Sequence, residues 1–127
     1  MEVSVACPKG YEPDADIMKW AHENGRFSCS PDVLEMAAAA DVLYTDVWAS
    51  MGQEAEAEER KKVFKDYQDN DKTMKAAKSH AMVLHCLPAH REEEITAKVF
   101  EEHSREIFDE AENRLHAQKA VLVKCML

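Results

Sequence analysis

The 127 residues, with 46% hydrophobic and 32% charged side chains, predict one folded domain rather than a disordered chain. The net charge of −9 argues against a general nucleic-acid or anionic-membrane binder, because binding to phosphates depends on basic patches. The chain shows neither an apolar leader nor a membrane-length apolar run, and its four cysteines form no C-x-x-C pair, so a reducing cytoplasm is the expected location.

The first half of the chain predicts two strands with helices between them. Residues 3–7 are expected to form a short strand, and Asp14 or Asp16 can cap the helix that follows it. The order Ser30-Pro31-Asp32 predicts a second helix with Ser30 as its N-cap. Residues 42–46, β-branched and aromatic, predict the second strand.

The segment from residue 54 to residue 84 predicts two helices and a third strand. Residues 54–66 are a charged helix, and Asp71 can cap a shorter one. Residues 81–84 are mostly apolar on both faces, as in a parallel strand covered by helices on both sides. Pro88, which has no backbone donor, ends any further sheet pairing.

The last third of the chain predicts mostly helix. Residues 92–95 are expected to begin a helical segment, since the three acids at 92–94 are typical of a helix N-terminus, and Thr96 can cap a short helical turn. Residues 106–108 are expected to form a short strand, after which Asp109 would cap a terminal helix towards Leu127.

The predicted order, β-α-α-β-α-α-β-α, has crossovers long enough for parallel pairing. We therefore predict an α/β fold: a three-layer α-β-α arrangement on a partial, doubly wound, Rossmann-like parallel sheet, with a C-terminal crossover helix. Three strands are fewer than most sheets contain. The chain would then be part of a doubly wound domain, or a small domain that completes its sheet with a partner.

Polar side chains follow two of the predicted strands. Asp46 ends one strand, and His85 and Cys86 end the other. Because the carboxyl ends of parallel strands meet at one sheet edge, these groups are expected to lie close together. An acid beside a thiol and an imidazole can orient a cationic substrate or tune proton transfer. The alternative is that Asp46 caps the next turn and Cys86 fills a gap in the core.

Two further features near these strand ends bear on ligand binding. Ser50-Met51-Gly52 can present backbone donors to a carboxylate or phosphate, since Gly allows close approach. His85, Cys86 and His90 could be read as a metal cluster, but adjacent ligands at a strand end suit a structural metal poorly, so no metal is predicted.

The segments 46–54 and 85–88 together closely resemble ornithine carbamoyltransferase, in its C-terminal, ornithine-binding domain. Residues 8–13 and 111–116 are also similar to that family, and the resemblance covers essentially the whole chain in order. It implies transfer of a carbamoyl group from carbamoyl phosphate to the δ-amine of ornithine, giving citrulline and phosphate. It implies no metal and no organic cofactor.

The resemblance also implies roles for the ornithine side of the site. Asp46 and Ser50 would bind the α-amino group of ornithine, and the backbone of Met51 and Gly52 would help to hold its carboxylate. Cys86 would lie near the δ-amine, tied electrostatically to Asp46.

On the carbamoyl side, His85 would hydrogen-bond the carbamoyl oxygen. Leu87 would contact the carbamoyl amide through its backbone, with the Leu87-Pro88 bond cis, and Arg114 would reach carbamoyl phosphate.

The chain also departs from the family pattern. The resemblance implies that residues 1–127 are a single, truncated ornithine-binding domain without the carbamoyl-phosphate-binding domain, since a Ser-x-Arg-Thr phosphate loop is absent from them. Glu92 stands where the family usually has Gly. We expect no turnover from the chain alone, because half of a cleft cannot close over a substrate.

Two expectations follow from the departures. Exposed apolar surface on the terminal helix would make the chain a homo-oligomer, with chain exchange open to it through an interrupted sheet. The alternative to an ornithine-binding half-enzyme is a non-catalytic α/β folding or assembly module, natural or engineered, that keeps a relic site.

Overall fold

The structure, a computed structural model, describes residues 1–49, 52 and 54–127, with Glu54 described by its backbone alone. The strands in this part of the chain are β1 (Glu2–Ala6), β2 (Arg26–Ser30), β3 (Val42–Thr45) and β4 (Met82–His85). The α-helices there are α1 (Ala15–Asn24), α2 (Val33–Ala37), α3 (Ala57–Phe64), α4 (Asp71–Ala76), α5 (Ala97–Glu102) and α6 (Ser104–Met126). Short 3₁₀ turns, Glu54–Glu56 and Lys65–Tyr67, flank α3.

The strands pair in parallel, in two two-stranded sheets: β1 with β2, and β3 with β4. Parallel neighbours need a crossover, which α1 supplies for the first sheet and α3 with α4 for the second. The α/β fold class with parallel strands, predicted from the sequence, is confirmed.

Several helices begin at the caps that the sequence indicates. The Asp14 carboxylate accepts hydrogen bonds from the amides of Asp16 and Ile17, and so satisfies donors that have no partner inside α1. Thr96 caps α5 in the same way through the amide of Val99. At α4 the cap is Asn70 rather than Asp71, because Asn70 and Thr73 form a reciprocal capping box.

The prediction for residues 26–32 was wrong. Residues 26–30 form a strand that the sequence analysis missed, and α2 is capped by Asp32, not by Ser30. The Asp32 carboxylate accepts from the amides of Leu34 and Glu35, both at 3.0 Å. Arg26–Ser30 is largely polar and becomes a strand through its pairing with β1.

Two predictions for the last third were also wrong. Residues 92–94 form a turn instead of a helix start, because Glu92 has φ +68° and its amide donates to the carbonyl of Ile95. Residues 106–108 belong to α6, which begins at Ser104, so Asp109 lies inside the helix and does not cap it. Ile107 is fully buried on the helix face that meets the core.

The main hydrophobic core joins β4 to the segment around α5 and to the start of α6. It consists of Val83, Ile95, Val99, Phe100 and Ile107. From Glu112 onwards α6 is exposed. None of the helices in the described ranges has the length and apolar character needed to cross a membrane.

Candidate functional site

The carboxyl ends of β3 and β4 bring together the polar residues that follow them in sequence. Thr45 lies opposite His85 in the parallel register, so Asp46 and Cys86 leave the sheet side by side. A carboxylate oxygen of Asp46, a ring nitrogen of His85 and Sγ of Cys86 all lie within 4.8 Å of one another. The structure thus assembles the acid, imidazole and thiol that the sequence placed at one sheet edge.

The Cys86 thiol is held in its protonated form. Burial, followed by the hydrogen bond with the Asp46 carboxylate and its negative charge, raises the pKa of Cys86. A protonated thiol donates to Asp46 and has little nucleophilic character, because the thiolate is the reactive form. Cys86 can therefore position a substrate but is poorly suited to covalent catalysis.

Tyr44 and Glu110 belong to the same polar group, and the sequence analysis missed both. Desolvation and a hydrogen bond with Glu110 raise the pKa of Tyr44, whose hydroxyl also interacts with Cys86. The signal available in the sequence was the strand alternation, which puts Tyr44 and Asp46 on one face. Glu110, on α6, had no such signal and is found only through the fold.

His85 and Glu94 form a fully buried pair beneath the strand end, each with 0% exposed side chain. Nε2 of His85 lies 3.0 Å from Oε1 of Glu94, and Nδ1 lies 2.9 Å from the amide nitrogen of Leu87. Burial by itself would raise the pKa of Glu94, but hydrogen bonds from His85 and from the His90 amide outweigh it, and the pKa lies below its usual range. Glu94 is therefore a carboxylate that accepts from both neighbours.

The loop after β4 has an unusual backbone. Leu87 has φ +54°, in the left-handed region that a branched side chain rarely adopts, and the Leu87-Pro88 bond is cis, as the resemblance implies. Pro88 is exposed, whereas Leu87 packs partly against the core. The loop is thus fixed between the core and the polar strand end.

Ser50, Met51, Gly52 and Arg114 are further residues predicted for the site. Ser50 and Met51 lie outside the described residues. Gly52 is exposed with φ +89°, a conformation that favours glycine. Arg114 is exposed on α6, one helical turn beyond Glu110 and therefore on the same side of the helix.

Among the described residues, two groups of side chains have donor atoms close enough for a cation: Asp46, His85 and Cys86, and His90, Glu93 and Glu94. In the first, both nitrogens of His85 already bond to Leu87 and Glu94, so a cation would have to displace one of them. In the second, Oε1 of Glu94 already accepts from His85 and from the His90 amide at 2.6 Å. The absence of a metal stays a prediction.

Comparison with known proteins identifies what the chain is similar to. The sequence model of the family described as "Aspartate/ornithine carbamoyltransferase, Asp/Orn binding domain" matches residues 1–125. The ornithine carbamoyltransferase of Pyrococcus horikoshii is 56% identical over 126 residues, which are 95% of this chain and 40% of that protein.

Solved structures show the same relationship. The anabolic ornithine carbamoyltransferase of Campylobacter jejuni superposes with a TM-score of 0.91 at 38% identity, over 96% of this chain and 42% of that one. The Pyrococcus furiosus enzyme gives a TM-score of 0.82 at 53% identity, over 95% of this chain and 40% of that one. The chain thus spans about 40% of the length of the relatives that it matches.

Proposed function

We propose that this chain, which belongs to the Asp/Orn binding domain of the aspartate/ornithine carbamoyltransferases, is the ornithine-binding unit of an ornithine carbamoyltransferase. The observation that carries the proposal is the Asp46–Cys86 contact at the carboxyl ends of β3 and β4. Open α/β sheets bind their ligands at this edge. The relatives named ornithine carbamoyltransferase supply the substrate class.

Each side of ornithine has a chemically suitable partner. The exposed Asp46 carboxylate suits the α-ammonium group, since charge-assisted hydrogen bonds are the stronger ones. Asp46 Oδ1 accepts from the Val47 amide at 2.7 Å, which orients the carboxylate. The neutral Cys86 thiol would lie beside the δ-amine, and Ser50 with the Met51-Gly52 backbone would complete the contacts to the α-amino and carboxylate groups.

The reaction itself needs positioning and charge stabilisation more than covalent chemistry. The δ-amine nitrogen attacks the carbamoyl carbon and forms a C–N bond, while the C–O bond to phosphate breaks. The attacking nitrogen then loses a proton to the released phosphate or to solvent. Leu87 would contact the carbamoyl amide through its backbone, and Arg114 would reach carbamoyl phosphate. His85 would act on the same side of the site, next to Leu87. No cofactor enters this scheme.

Residues 1–127 are proposed to bind ornithine without completing turnover. They hold no Ser-x-Arg-Thr phosphate loop, so carbamoyl phosphate would bind only where further residues are supplied. The exposed apolar side chains of α6 support self-association. The four free cysteines fit a reducing, cytoplasmic location, which stays a prediction.

Titration calorimetry with L-ornithine tests the proposal. We expect binding in the millimolar range or tighter, lost in Asp46→Ala and kept in the matched control Asp41→Ala. Asp41 is exposed and pairs with Lys78 at the opposite end of β3. Absence of heat from the unmodified chain at high ornithine would leave the non-catalytic assembly module as the better explanation.

A citrulline assay with ornithine and carbamoyl phosphate tests turnover separately. We expect no citrulline above background from the chain alone. Turnover by the isolated chain would show that the missing phosphate loop is dispensable.

A further inference from the structure

Glu94 is a buried carboxylate for which neither the sequence pattern nor the proposed reaction supplies a role. It lies in the turn after Pro88 with 0% exposure, and its Oε1 accepts from Nε2 of His85 and from the His90 amide. Oε2 has no hydrogen-bond partner among the described residues. A buried, half-satisfied carboxylate is costly and calls for an explanation.

The pair with Glu94 determines which nitrogen of His85 carries the proton. A carboxylate can only accept, so the nitrogen facing it, Nε2, must be the one that donates. Nδ1 is then free of a proton and accepts from the Leu87 amide at 2.9 Å. Both ring nitrogens of His85 are thereby used inside the chain, and the ring is fully buried.

The hydrogen bond to His85 constrains Leu87 at a strained position. Leu87 has φ +54°, a conformation that is strained for a residue with a Cβ and persists only where the surroundings hold it. Because the Leu87 amide is bonded to Nδ1, the carbonyl is the backbone group that Leu87 can still offer. A carbamoyl amide carries N–H donors, and a carbonyl is the acceptor that it needs.

We propose that Glu94 and His85 are positioning residues: Glu94 fixes the tautomer of His85, and Nδ1 of His85 holds the Leu87 amide so that the Leu87 carbonyl receives the carbamoyl amide. The last step rests on the function proposed above. His85 thus acts through Leu87, which differs from the direct contact with the carbamoyl oxygen that the resemblance implies. Glu94, three residues beyond the His-Arg sequence, joins the site without touching a substrate.

Nuclear magnetic resonance on the ¹⁵N-labelled chain tests the tautomer directly and needs no ligand. We expect His85 to carry its proton on Nε2 in a long-range ¹H–¹⁵N spectrum. We also expect a scalar coupling across the hydrogen bond between the Leu87 amide nitrogen and Nδ1. A proton on Nδ1 in the unmodified chain would overturn the proposal.

Substitution of Glu94 tests whether it sets the tautomer. Glu94→Gln keeps an oxygen acceptor and should retain the Leu87–His85 coupling, whereas Glu94→Ala removes the acceptor and should lose it. Glu93→Ala is the matched control, since Glu93 bonds to Lys61 at 2.9 Å and belongs to the same turn. Retention of the coupling in a folded Glu94→Ala variant would refute the role of Glu94.

A second pair of variants keeps the proposal testable if Glu94→Ala does not fold. His85→Asn puts an amide oxygen where Nδ1 was, whereas the longer side chain of His85→Gln reaches towards Glu94 and offers Leu87 no acceptor. We expect the Leu87 amide to stay protected from hydrogen exchange in His85→Asn and to exchange at least tenfold faster in His85→Gln, since one hydrogen bond is worth about that factor. Equal exchange in the two variants would refute the role of His85. If ornithine fails to bind, the proposed function fails while these spectra still decide the positioning.

Discussion

Replacing Asp69 with Asn tests how burial beneath the site affects the stability of the fold. Asp69 is 8% exposed, and its Oδ2 has no hydrogen-bond partner among the described residues. Burial raises its pKa from 3.8 to about 6, opposed by the hydrogen bond with Thr73 and by the nearby His85 and His103. The folded chain therefore holds this proton more tightly than the unfolded chain does.

The sign of the effect follows from proton linkage. Between the unfolded pKa of 3.8 and the folded value of about 6, the folded state binds more protons, so the free energy of unfolding falls as the pH rises. Each pKa unit is about 1.4 kcal/mol, so ionisation of Asp69 costs about 3 kcal/mol of stability above pH 6. Asn has no charge and keeps an oxygen for Thr73, but its new N–H₂ group lacks an acceptor, which costs about 1 kcal/mol. We expect a net gain of about 2 kcal/mol at neutral pH.

Urea unfolding followed by circular dichroism, from about pH 4.5 to about pH 7.5, measures this difference. The free energy of unfolding of Asp69→Asn should exceed that of the unmodified chain by an amount that grows as the pH rises. This difference should vanish at the acidic end of the range. Asp41→Asn is the matched control: the hydrogen bond from Lys78 lowers the pKa of Asp41 from 3.8, so this variant should lose stability by an amount that changes little across the range, all of which lies above 3.8. A variant at position 69 that is less stable than the unmodified chain at neutral pH would refute the reasoning.

Three further predictions concern the loop, the thiols and α6. Glu92→Gly should be about 1 kcal/mol more stable to urea than Glu92→Ala, because Ala is strained at φ +68° and both variants lose the hydrogen bond that the Ala97 amide donates to the Glu92 carboxylate. Equal stability of the two variants would contradict this. Cys7, whose pKa burial raises to about 11, should react with a thiol reagent at least about 100-fold more slowly than exposed Cys125, and similar rates would contradict its burial. Light scattering should show self-association at high concentration that Leu122→Lys on the exposed face of α6 reduces, and a clean monomer of the unmodified chain would refute that role of α6.

Local features of the sequence determined much of the fold. Asp14 and Thr96 mark helix starts because a cap bonds to an amide two or three residues away, so all the information lies in a few consecutive residues. The β-branched and aromatic run at 42–46 and the apolar run at 81–84 predicted strands, and the edge that parallel strands share predicted the meeting of Asp46 with Cys86. The segments 46–54 and 85–88, which resemble ornithine carbamoyltransferase, added ornithine as the predicted substrate.

Only the tertiary structure decided the features whose partners are distant. Arg26–Ser30 is a strand because β1 lies beside it, and its polar composition does not reveal this. The three acids at 92–94 predict a helix start, but the residues form a turn in which Glu92 has a positive φ and its amide donates to the carbonyl of Ile95. Glu94 reads as one more surface acid, yet it is buried against His85. A side chain's pKa and role depend on what surrounds it, and packing of remote segments supplies those surroundings.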